Sequence, residues 1–139
     1  MALQPKPFWL RWVTAPGTWV TLAPTIYHPA HMLPQDFPAL VAHETVHLQH
    51  QESLGKWLWL WRWFTNRSFR LFVEVDGIAA EVLATPPALR EQLVKAYARD
   101  LAGSMYFHAA KSVDEAYSHI GIAVRWEEAV RLVWFKGEE

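Results

Sequence analysis

The chain has no cysteine. Disulfides and thiolate metal sites are therefore excluded, and any bound metal must be held by His, Asp or Glu. A charge excess is also missing, since the formal net charge is -1 over 139 residues. Nucleic-acid binders usually carry a basic surplus, so no nucleic-acid partner is expected. Long apolar runs are absent too. The longest, near residues 57–64, is broken by Lys56 and Arg62 and is too short to span a bilayer. The opening MALQPKPFWLRW holds neither a sustained apolar stretch nor a small-residue cleavage site. The expectation is a cytoplasmic protein. Acid is lacking between Glu52 and Glu74, an interval that contains Lys56, Arg62, Arg67 and Arg70.

What is present is hydrophobic mass: 52% of the chain, including nine tryptophans. That suits a single domain over residues 1–139, with a core large enough to need no cross-links. Segments 8–13 (FWLRWV) and 18–22 (TWVTL) flank APG and read as a hairpin. Segment 24–29 (PTIYHP) reads as a further extended piece at an edge or strand end. From Asp36 the period becomes helical. Asp36 is a candidate cap, Pro38 suits the first turn, and Gly55 supplies the stop. A second helix is expected over Phe69 to Ala84. A third, capped by Thr85 and opened by Pro86, runs to Leu101. Ser112 and Glu115 have the spacing of a capping box for a fourth. Gly121 should interrupt it before an amphipathic stretch that reaches about Phe135. The fold class is α+β: a small N-terminal β-hairpin or sheet followed by a mainly helical part.

The chemistry concentrates at HETVH, residues 43–47. His43 and His47 are four residues apart and share one helix face, so both imidazoles can reach one ion. Glu44 lies about 100° round the helix, where it can reach a water on that ion. This is the physical sense of H-E-x-x-H: two zinc ligands and a general base. A solvated helix rich in His and Glu would show the same letters, but Leu40, Val41, Val46 and Leu48 give this one an apolar side to bury. His50 shares the ligand face one turn further on, about 4.5 Å along the axis from His47, and reads as a rim residue. Catalytic zinc needs a third protein ligand. Glu74 and Glu81 share a face of the next helix about 10.5 Å apart, so only one should ligate. Asp76 points the other way and reads as solvated or paired with arginine.

HETVH, followed by a helix with glutamate among small residues (VEVDGIAAE), resembles the zincin metallopeptidases of gluzincin type. The resemblance covers Thr18 to about Val82. The metzincin pattern does not fit, since its glycine would fall on His50 and its third histidine on Ser53. The resemblance implies a zincin-like core, Zn2+ held by His43, His47 and Glu74, and Glu44 as the general base. The implied reaction is hydrolysis of a peptide or protein substrate by a zinc-activated water. It also implies an edge strand, TWVTL or TIYH, that pairs with an extended substrate. One position departs from the pattern. Many gluzincins carry an aspartate four residues after the ligand glutamate to orient a histidine, and here Ile78 stands there. That carboxylate must come from elsewhere. His108, His119, Tyr106, Tyr117 and Arg125 are candidates to stabilise the oxyanion. The alternative function is a catalytically weak or inactive zincin-fold metal-binding protein that acts through a partner or a membrane surface.

The run WLWLWRWF, residues 57–64, leaves its conformation open. Trp57, Trp59, Trp61 and Trp63 alternate as on a strand, whereas Trp57, Leu60, Trp61 and Phe64 would form one stripe of a helix. It can be core, packed against Trp9 and Trp12 with arginines on its rings. It can be a peripheral membrane anchor. It can be an exposed patch for a partner or for apolar substrate side chains, and self-association as a homodimer is one form of that.

Overall fold

A computed structural model describes residues 1–137, without the side chains of residues 135–137. Strand β1 (Ala2–Pro5) leads into helix α1 (Phe8–Val13), then strands β2 (Val20–Leu22) and β3 (Thr25–His28). Helices α2 (Pro38–Leu54), α3 (Lys56–Thr65), α4 (Arg67–Leu83), α5 (Pro87–Ala102) and α6 (Val113–Gly137) complete the chain. The fold is α+β, a three-stranded sheet of order β1-β3-β2 followed by helices. Among the described residues no helix is long and apolar enough to cross a membrane.

FWLRWV, expected as a strand, is helix α1. It does not pair with TWVTL, and the third strand of the sheet is instead β1, which runs parallel to β3 with Ala2 opposite Thr25 and Pro5 opposite His28. Pro7 then turns the chain, with φ -68° and ψ 163°, into the helix. Lys6 Nζ donates to Thr14 Oγ1 and to Ala15 O and so ties down the far end of α1. Only Leu10 of α1 is buried. Bulky residues here have no sheet face to fill, and their strand propensity is overridden. The hairpin is β2–β3, with Val20 opposite Tyr27 and Leu22 opposite Thr25. TIYH is therefore the central strand and not an edge.

Helix entries differ in detail from expectation. Asp36 lies in a 3₁₀ turn, Pro34–Asp36, and Phe37 takes the cap position of α2 with Pro38 in its first turn. Asn66 Oδ1 accepts from Phe69 N at 2.9 Å, which starts α4 two residues early. Thr85 does not cap α5, since its hydroxyl donates back to Glu81 O. The capping box of α6 forms: Glu115 N donates to Ser112 Oγ, and Lys111 N donates to the Glu115 carboxylate. Gly121 does not interrupt α6. A helical glycine costs about 1 kcal/mol, and burial of its neighbours Ala116 and Ile120 against α4 and α5 offsets that.

Two cores flank α2 and α4. One joins Ile78, Val82, Ala98, Leu101, Ala116 and Ile120 across α4, α5 and α6. The other places Trp19, Ile26 and Leu48 between the sheet and α2. The seam between α2 and α4 runs between these cores, and the polar residues of both helices meet there.

Candidate metal centre

α2 presents His43, Glu44 and His47, and α4 presents Glu74 and Glu81; all five are buried. Gly77 lets the two helices close. A Cβ on it would lie 2.7 Å from His43 Cδ2 and 2.8 Å from His43 Nε2. His43 Nε2 is 3.1 Å from His47 Nε2, and each nitrogen is 3.3 Å from Glu74 Oε2. Ligand atoms about 2.0–2.1 Å from a tetrahedral zinc lie about 3.3–3.4 Å apart, so this triangle has zinc's dimensions. His43, His47 and Glu74 form the one such group among the described residues. The donor set fits a dication on charge as well. Three carboxylates (Glu44, Glu74 and Glu81) surround two imidazoles in a buried seam, a donor set of the charge and ligand type that suits a divalent cation.

Two of the three side chains, His43 and Glu74, are held from behind by hydrogen bonds. His43 Nδ1 donates to Glu81 Oε1 at 2.8 Å, the tautomer that leaves Nε2 free to ligate, and Tyr97 Oη donates to the same oxygen at 2.6 Å. Trp63 Nε1 donates to Glu74 Oε1 at 2.9 Å, which turns Oε2 toward the histidines. Trp59 packs against the His47 ring with centroids 5.3 Å apart. His47 Nδ1 has no partner among the described residues. Burial alone would lower the His43 pKa. The bonds to Glu74 and Glu81 and the charge of Glu44 outweigh it and raise it to about 10. Burial likewise works to raise Glu74, but His47 and the bonds from both histidines hold it well below the usual carboxylate range.

Glu44 faces the sheet. Thr21 Oγ1 on β2 donates to Glu44 Oε2 at 2.6 Å. Further along β2, Gln51 Nε2 donates to Thr21 O and Gln51 Oε1 accepts from Ala23 N, both at 2.8 Å. Lys56 Nζ donates to Ala23 O. The edge of β2 over residues 21–23 is thus already paired with side chains of α2 and α3, so that part of TWVTL is not open to an extended peptide.

His43, Glu44 and His47 come together as the spacing suggested, and Glu74, the glutamate that the zincin resemblance implied, joins the two histidines. Glu81 is the carboxylate that Ile78 could not supply: it contacts His43 on the Nδ1 side, away from the ligand triangle. His50 lies outside the triangle and pairs with Asp76 at 2.8 Å, so Asp76 is partnered by histidine and not arginine. Among the oxyanion candidates, Tyr106 is half-buried and makes no side-chain hydrogen bond to the site residues. Burial and then the charges of Glu74 and Glu44 raise its pKa and keep it a phenol. His108 bonds Ala102 O, His119 faces Glu115, Tyr117 donates to Glu91, and Arg125 is exposed. Thr21, Gln51, Trp63, Gly77 and Tyr97 carried no local sequence signal, because each acts across elements. Comparisons with family models, with curated proteins and with solved structures found no match.

Proposed function

We propose that the protein is a zinc-dependent metallopeptidase of gluzincin type, with His43, His47 and Glu74 as ligands. The observation that carries this reading is the triangle of ligand atoms at 3.1–3.3 Å with Glu44 beside it on α2. A zinc ion bound there would supply Lewis-acid polarisation of the scissile carbonyl and acidify a water. Glu44 is the general base. Its carboxylate, which accepts a hydrogen bond from the Thr21 hydroxyl at Oε2, would take a proton from the attacking water and return it to the leaving amine. Thr21 positions that carboxylate. The substrate is a peptide or protein, and a cytoplasmic location belongs to the same proposal, to be checked by cell fractionation.

Glu44→Gln tests the reading. Loss of peptide-library cleavage by at least about a hundredfold, with zinc content unchanged, is the expected result for a general base. A wild type that holds zinc and cleaves nothing in the library would favour the second reading, a zincin-fold metal-binding protein with little hydrolytic activity. Two observations speak for that alternative: the ligands are only 3–5% exposed, and Gln51 already pairs with the β2 edge.

A further inference from the structure

Helix α3 has two unlike faces. Inward, Trp59 packs on His47 and Trp63 bonds Glu74. Outward, Trp57, Trp61 and Phe64 are 73%, 68% and 64% exposed at helical spacing, with Leu58 beside them. Such a stripe is larger than the scattered single residues of an ordinary surface. Its electrostatics have one sign. No acid occurs between Glu52 and Glu74. Arg62 is exposed, and its side chain makes no hydrogen bond or ion pair among the described residues. Arg67 is exposed at the start of α4, where its Nε donates to Ala109 O at 3.1 Å and its charge has no acidic partner among the described residues, and Lys56 lies over the Trp57 ring, 5.2 Å from its centroid.

We propose that the outer face of α3 docks the protein on an anionic lipid bilayer, with Trp57, Trp61 and Phe64 at headgroup depth and Arg62 and Arg67 against the lipid charges. Tryptophan and arginine are the side chains suited to that depth, having an apolar body and a polar or charged tip. A protein partner of apolar character would leave Arg62 and Arg67 without counter-charges, whereas an anionic surface supplies them. The docking stands without the peptidase reading, but it has a consequence for it. A helix is about 10–12 Å across, so the metal centre would sit about one helix diameter from the lipid. Substrates at the membrane surface would then reach it first.

The test is flotation of the full chain with phosphatidylcholine vesicles, with and without phosphatidylserine. Wild type should float with the anionic vesicles and lose much of that binding in high salt. The triple change Trp57→Ala, Trp61→Ala, Phe64→Ala should weaken binding at least about tenfold. Its zinc content and circular dichroism should match wild type, which separates loss of docking from loss of fold. Arg62→Glu, worth roughly fivefold for each of two unit charges, should weaken binding to anionic vesicles only. Absence of wild-type flotation overturns the proposal. So does flotation that survives the triple change, which would move docking to another exposed surface such as Phe8, Trp9 and Trp12 of α1. A lipid-independent dimer in analytical ultracentrifugation, dispersed by the triple change while vesicles bind nothing, would make a second copy the occupant and also overturn it.

Discussion

Trp61 and Trp63 stand two residues apart on α3 and are used in opposite ways. Trp63 turns inward and gives its indole N–H to the carboxylate of Glu74. Trp61 turns outward with most of its surface bare. The same contrast separates Trp59, which packs on His47, from Trp57, which is open. Residue type does not decide the role here; helical phase does. Inward tryptophans are assigned to the metal centre and outward ones to a surface, and substitutions on each face should therefore move different measurements.

The largest effect is expected at the seam that the inward face supports. Glu74→Ala removes a ligand and should abolish stoichiometric zinc, read by elemental analysis after dialysis. Gly77→Ala should do nearly as much by another route. Its methyl would displace the His43 ring, and zinc affinity should drop at least about a hundredfold in competition with a chromophoric chelator. The helix itself would gain from alanine, about 1 kcal/mol at best, but the methyl also crowds the buried His43 ring without metal, so the stability of metal-free protein should fall by no more than about 1–3 kcal/mol. A collapse of stability together with affinity would mean that Gly77 serves packing first.

Smaller effects should follow one step out from the ligands. Glu81→Gln and Trp63→Phe each weaken the grip on a ligand without removing it, and zinc affinity should fall about 10–100-fold. Trp59→Ala should act on stability instead, by about 3–5 kcal/mol in denaturant unfolding, because a buried ring is deleted. The smallest effect belongs outside. Trp57→Ala and Trp61→Ala should change stability by less than about 0.5 kcal/mol and leave zinc binding as it was. If they cost as much as Trp59→Ala, the two-faced description of α3 fails.

What the sequence made legible follows the range over which each signal acts. His43, Glu44 and His47 lie within five residues, and helical geometry alone places them together. For Glu74 and Glu81 the spacing suggested that only one could join the two histidines, and the choice depends on how α4 slides along α2. Gly77 sets that register by admitting the His43 ring. Trp63, Tyr97 and Thr21 reach the site only through the packing of whole helices and the sheet, which no local spacing encodes. The error at FWLRWV has the same origin. Its β-formers suggested a strand paired with TWVTL, but ALQP supplies the third strand of the sheet instead, and nothing in those four letters announces a strand.

Zinc stoichiometry in wild type, Glu74→Ala and Glu81→Ala tests the central claim most directly, by elemental analysis at saturating zinc followed by removal of the excess. The expected result is one zinc per chain in wild type, none in Glu74→Ala, and retained but weaker binding in Glu81→Ala. A wild type that takes up no zinc, or a Glu74→Ala that keeps it while Glu81→Ala loses it, would contradict the assigned centre.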